Sequence, residues 1–263
     1  MGDDEEHVGE DVANVSSLPK LPEPGEAQDV ALGGTLSASE ELHGALSLST
    51  SLVVNHLHAA AFFARQSAAI ETAHDEQASE EIRADHRAYV IGSVFAAVAF
   101  LEATINEVFD SSLPSLANVP QNWERRAKQK YKGAKEALAK YQLALELSGL
   151  PCFDPTSDPA YDDANDLMTL RNNLVHYKQT VHLQVMSEPV AEEDAPTLER
   201  LLRRRVAISN PLYPSPSHFL HECLSHDCAR WAVQAALTFA DAFFVRMGLQ
   251  PPYDQARERL DTH

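Results

Sequence analysis

From about residue 45 onward, apolar side chains recur three and four positions apart in one stretch after another. That spacing lines one face of an α-helix instead of alternating across a strand. Val53, Leu57, Ala60, Ala64 and Ala68 open the pattern, which predicts a first helix over 45–80. Val94, Ala97, Leu101, Ile105 and Val108 predict a second over 84–110, stopped by Ser111-Ser112-Leu113-Pro114. Residues 123–147 are rich in Lys, Ala, Glu and Leu, all good helix formers, and read as one third helix with a basic start. Past Pro151, Pro155 and Pro159, the acids Asp162, Asp163 and Asp166 suit the positive end of a helix dipole and lead into Leu167, Leu170, Leu174 and Val175. Val181, Leu183 and Val185 alternate over 180–186, which reads either as one short strand or as an extended exit from that helix. Residues 192–206 read as helix and 210–217, with three prolines, as a loop. A long closing helix over 219–247 is built on Leu224, Cys228, Trp231, Ala235, Phe239 and Phe243. The fold class expected is all-α, a helical bundle.

With 263 residues, 44% of them apolar, the chain can bury a sizeable core. A formal charge of −18 opposes nonspecific attraction to phosphate backbones and anionic bilayers, so any nucleic-acid contact must be local. Much of that charge sits in residues 1–45, which hold eleven acids against the single base Lys20. Lacking a sustained apolar period, this stretch cannot offset the cost of ordering and is expected to be a disordered acidic tail. The division expected is a tail over 1–42, a helical domain over 43–250 and a C-terminal tail over 251–263. The irregular set Cys152, Cys223 and Cys228 argues against a disulfide framework and for a reducing compartment. The start Met1-Gly2-Asp3-Asp4 lacks the features of a secretory signal, and the longest apolar runs, 89–101 and 235–244, fall short of a bilayer span. A soluble, cytoplasmic protein with no membrane partner is the expectation.

The sharpest chemical signal is Leu170-Arg171-Asn172-Asn173-Leu174-Val175-His176-Tyr177-Lys178, a polar cluster inside an amphipathic helix. Asn172 and His176, four residues apart, stack on one face, and Arg171 has the reach to swing its guanidinium toward the same spot. An imidazole moves a proton near neutral pH, a guanidinium holds a phosphate oxygen through paired donors, and an amide orients either one. Such a set suits phosphodiester chemistry.

On these residues the chain resembles the HEPN family, whose ribonuclease members carry Arg, four to six residues and then His late in a helical bundle. Arg171-Asn172, three residues, then His176 fits that pattern. The earlier helix with Phe100-Leu101-Glu102-Ala103 and Ile105-Asn106-Glu107, the motif helix and the aromatic closing helix occur in similar order. The resemblance implies a HEPN-like bundle and metal-independent endoribonuclease activity, with no cofactor and no metal. His176 would assist attack of the ribose 2′-hydroxyl on the adjacent phosphate, and Arg171 would stabilise the developing charge, leaving 2′,3′-cyclic phosphate and 5′-hydroxyl ends. It also implies a homodimer in which the motif helices face one another, so that Arg171, Asn172 and His176 of both copies form one composite site. A bacterial defence or toxin setting follows, with an antitoxin or regulatory protein as a possible partner. One toxin subgroup is silenced by nucleotidyl transfer onto a Tyr one residue beyond the motif His. Here Tyr177 directly follows His176, so that form of regulation is not expected. The alternative is a noncatalytic HEPN-like module that binds RNA or protein.

Glu102, set among apolar residues at the edge of the core stripe, needs a partner. The resemblance implies that it belongs to the catalytic set, pairing with Arg171 or positioning His176, and the other reading is a structural hydrogen bond to a loop. Arg125, Arg126, Lys128, Lys130, Lys132, Lys135 and Lys140, with Trp123, Tyr131 and Tyr141 interleaved, are candidates for tracking a phosphate backbone and stacking bases. Tyr177 and Lys178 join them as RNA-contact candidates, and Arg200, Arg203, Arg204 and Arg205 form a second basic patch. Lys-rich helix faces are more often plain solvated surface. The acidic tail complements both patches and would compete with RNA for them. His218, His221, Cys223, His226 and Cys228 invite a zinc reading, but they lack paired ligand spacing, so no metal is expected.

Overall fold

The computed structural model describes residues 51–110, 122–131, 134–176, 197–207, 209–213 and 219–262. Among these residues every regular element is a helix, as the spacing predicts. The helices are α1 (Val53–Ala73), α2 (Glu80–Asp110), α3 (Trp123–Lys130), α4 (Glu136–Leu147), α5 (Pro159–Val175), α6 (Thr197–Arg205), α7 (Phe219–Cys223) and α8 (His226–Met247), followed by a 3-10 turn over Asp254–Arg259. The expected tail and the 180–186 segment lie outside the described residues.

α1 buries Val53, Leu57, Ala60, Ala61 and Ala64, then stops where His74 turns extended. Asp75 accepts the Gln77 N–H at 2.9 Å and closes the turn. Ser79 caps α2 through the Ile82 N–H at 3.3 Å, and Glu80 and Glu81 in the first turn complement the helix dipole. α2 then runs 31 residues, about 46 Å at the α-helical rise, as the central element. It packs against α1, α8, α5 and α4, which explains why its buried residues lie nearly all round it. By length and hydropathy α2 suffices to cross a bilayer, yet 50% of its apolar window is buried inside this bundle.

Small side chains let α1, α2 and α8 approach closely. Ala60, Ala61, Ala64, Ala97, Ala229, Ala232 and Ala236 are all buried. At their crossing the buried Ser93 hydroxyl bonds the carbonyls of Ala60 at 2.9 Å and Ala229 at 3.3 Å. Tyr141 of α4 fills the other side, edge-on to Phe239 and Phe243 with its hydroxyl on the Leu101 carbonyl at 2.9 Å. α4 and α8 both end at a glycine in the left-handed region, Gly149 (φ 70°) and Gly248 (φ 66°). In each case the next residue bonds five positions back, Leu150 to Leu145 and Leu249 to Phe244, a Schellman ending.

Two expected helices are broken. The third gives way to α3, which ends at Lys130, and α4, which begins at Glu136, and just past the end of α3 Tyr131 donates its hydroxyl to Glu146 of α4 at 2.6 Å. The closing helix splits at Leu224-Ser225. The Asn210 amide donates to the helix-end carbonyls of His221 at 2.9 Å and Leu224 at 2.8 Å, and Glu71 accepts the first amide of α8, on His226, at 2.7 Å. The segment set off as a C-terminal tail is packed: Tyr253 is fully buried against Phe100 and Phe244, in the same compact unit as the other described residues.

Candidate functional site

Arg171 lies on the second-last turn of α5 and Glu102 in the middle of α2, where the two helices pack. The guanidinium Nη2 donates to Glu102 Oε1, so the partner demanded by a carboxylate at the edge of the core stripe is this arginine. With side chains 30% and 46% exposed, the pair sits at the surface and adds little stability. Its value is orientation. Arg171 Nε and Nη1 make no other hydrogen bond among the described residues and remain available to an anion.

His176 caps the C-terminus of α5: its backbone N–H reaches the Asn172 carbonyl at 3.0 Å, and its exposed ring has no partner among the described residues. Asn172 is half-buried, with no side-chain hydrogen bond among the described residues, whereas Asn173 bonds back to the Thr169 carbonyl at 2.8 Å. Leu174, half-buried, and Val175, exposed, put apolar surface beside these polar groups. A hollow lined by Tyr131, Gln142, Pro155, Tyr161 and Asp162 lies elsewhere and includes none of them.

The basic run resolves into two kinds of residue. Arg125, Arg126 and Lys128 are exposed on α3. Lys130, also exposed, pairs with Glu146, whose carboxyl is held below its usual range first by Lys130 and then by the Tyr131 hydroxyl. Lys140 is not a surface cation: it is buried, bonding Asn106 Oδ1 and Glu124 Oε1 at 3.0 Å each beneath the Trp123 ring. The interleaved aromatics are not free to stack bases either. Trp123 lies flat on Phe109 with centroids 3.8 Å apart, Tyr131 is held by Glu146, and Tyr141 belongs to the core. Lys132, Tyr177 and Lys178 lie outside the described residues.

The second basic patch is largely cancelled. Arg203 pairs with Glu199, while Arg204 and Arg205 close on Asp162, Asp163 and Asp166 of α5, leaving Arg200 exposed. The histidines and cysteines near α7 are dispersed as well. Burial pushes the Cys223 and Cys228 thiols up to about 12, and the His221 ring stacks on Tyr213. The His226 ring nitrogen Nδ1 meets the Ala64 carbonyl at 3.1 Å, and His218 lies outside the described residues. Among the described residues no three His, Cys, Asp or Glu side chains converge as metal ligands.

One polar pair escaped sequence reasoning. His86 is fully buried, with Nε2 2.8 Å from Glu71 Oε1, the same oxygen that receives the His226 amide. Its signal was register: His86 stands one turn before Val90 on the buried stripe of α2. No family model, no curated protein and no solved structure matches the chain.

Proposed function

We propose that the chain is a metal-independent endoribonuclease of HEPN type, working in the cytoplasm of a bacterial defence or toxin system. The observation that carries this reading is the Glu102–Arg171 pair, which aims a guanidinium with free donors from the helix that ends at His176. The His176 imidazole takes the proton of a ribose 2′-hydroxyl as that oxygen attacks the neighbouring phosphorus. Arg171 holds the nonbridging oxygens, where negative charge grows in the transition state. The P–O5′ bond breaks, leaving a 2′,3′-cyclic phosphate, and the 5′-oxygen departs with a proton.

In-line displacement puts the attacking and leaving oxygens on opposite sides of phosphorus. One imidazole cannot serve both in the same step, so a second protomer facing α5 supplies the acid. The exposed Val175 and the open setting of Arg171 support such a homodimer, with Asn172 of each copy orienting the phosphate or the facing histidine. An antitoxin or regulatory protein that covers this face would restrain the enzyme.

The absence of any orienting hydrogen bond on the His176 ring among the described residues favours a second reading, a noncatalytic module that binds RNA or a protein partner. One experiment separates them. Labelled RNA is incubated in EDTA with wild type and His176→Ala, product ends are analysed, and both proteins are sized. The nuclease reading expects cyclic-phosphate ends from a dimeric wild type and none from a folded His176→Ala. Equal cleavage by both proteins, or none by either across several RNAs, overturns it, and retained binding without cleavage leaves the module.

A further inference from the structure

Most arginines on this molecule are neutralised where they stand: Arg171 by Glu102, Arg204 and Arg205 by Asp166, Arg246 by Asp158. Arg125 and Arg126 of α3 are different. Both are exposed, and among the described residues neither has a carboxylate within salt-bridge distance. Lys128 on the same helix reaches Glu136 only at 3.8 Å, with both side chains mostly in solvent. Glu124, the acid in the first turn, does not cancel them, because Lys140 holds it. On a chain of charge −18, α3 therefore carries concentrated positive charge left open to solvent.

α3 packs chiefly on α4 and meets α2 at its first turn. Lys140 ties Glu124 to Asn106, and Trp123 lies on Phe109. Asn106 stands four residues, about 6 Å, beyond Glu102 on the same face of α2, and Glu102 holds Arg171. Reading outward along α2, the order is Arg171 with Glu102, then Asn106, then the first turn of α3 with Arg125, Arg126 and Lys128 after it.

Resting on the nuclease reading above, we propose that α3 is the phosphate-holding arm of the same site, and that its ligand is single-stranded RNA. A strand whose scissile phosphate lies at Arg171 continues past Asn106 and sets neighbouring phosphates on Arg125, Arg126 and Lys128. A single strand fits for two reasons. Attack by a 2′-hydroxyl needs a ribose free to reach in-line geometry, which a paired A-form helix does not allow. A duplex would also press a second row of phosphates toward an acidic protein. With Trp123, Tyr131 and Tyr141 committed elsewhere, α3 reads phosphates and not bases, so the contact is indifferent to sequence.

Binding of labelled single-stranded RNA of roughly sixteen nucleotides is measured between about 50 and 200 mM salt. Full-length His176→Ala is compared with the same protein carrying Arg125→Ala, Arg126→Ala and Lys128→Ala, and wild-type cleavage in EDTA is followed in parallel. The three substitutions lie on exposed positions, and melting of each protein checks the fold. Each phosphate contact on a single strand adds about 0.7 to the slope of log K against log salt, so the slope should fall by about 2. The loss should be alike for RNAs of different sequence, and a duplex of the same length should bind more weakly than the strand. An unchanged slope while wild type still cleaves overturns the α3 arm and leaves the Arg171 site standing. Tighter binding of duplex overturns the single-strand assignment. No RNA binding by any form, with no wild-type cleavage, overturns the nuclease reading together with this one.

Discussion

On the proposed nuclease reading Arg171 must be aimed at a phosphate without being buried, and Glu102 holds its guanidinium across the α2–α5 contact. Because the two side chains are 46% and 30% exposed, their attraction is worth under about 1 kcal/mol to the fold. Glu102→Gln should therefore shift the melting temperature by no more than about 2–4 °C in a domain of this size. If the proposed cleavage is the reaction, the effect of this substitution on it is larger. A guanidinium no longer held loses transition-state stabilisation, and each 1.4 kcal/mol or so is tenfold in rate. The expected outcome is roughly a tenfold or greater fall in kcat with KM little changed. A variant that melts early yet turns over normally per folded molecule would make Glu102 purely structural. Lys140 shows the contrast: similar chemistry, placed beneath Trp123 between Asn106 and Glu124, ties α3 and α4 to α2 and is closed to any ligand.

Among the elements, α6 is the one held by charge as much as by packing. Leu201 and Leu202 are buried, while Arg204 and Arg205 converge on the nearly buried Asp166. Asp166→Asn keeps the shape and removes the charge both guanidinia share. Between the worth of exposed and buried pairs, the loss should be about 2 kcal/mol. Amide exchange across Thr197–Arg205 should quicken more than across α8; uniform quickening would mean that Asp166 steadies α5 instead. This element also marks where sequence reasoning stops. The stripes of α1, α2, α5 and α8 were legible because each repeats at helical spacing against the core. The breaks at 131–135 and 224–225 were not. Good helix formers on both sides mask the one signal in the first, Gly133, and the second depends on Asn210 and Glu71, which are distant in the chain. That Glu102, edging a core stripe, needs a partner was legible; that the partner is Arg171 was only one of the options the family resemblance implied. The cancellation of Arg204 and Arg205 was not, because a run of like charges does not announce which acids, some forty residues earlier, it will meet.

At the largest scale, the described C-terminal residues close the helical unit. Arg65 of α1 donates to the Asp261 carbonyl at 2.6 Å, Arg257 reaches back to Asp241 of α8, and Tyr253 enters the core between Phe100 of α2 and Phe244 of α8. Residues 251–262 thus touch the three helices whose crossing at Ser93 organises the bundle. If they are part of one cooperative unit, loosening them must weaken everything. Tyr253→Ala removes a fully buried aromatic ring and should cost about 3–5 kcal/mol. Tyr253→Phe removes only the hydroxyl bond to Asp241 Oδ1, which Arg257 still occupies, and should cost about 0.5–1.5 kcal/mol. Denaturant unfolding followed by near-UV and far-UV circular dichroism tests this directly. A single transition, coincident in both signals and displaced most by Tyr253→Ala, is the outcome for a C-terminus built into the core. An early near-UV phase with the far-UV midpoint unmoved would make residues 251–262 a separately melting flap, and the bundle of α1, α2 and α8 would then be stable without its closure.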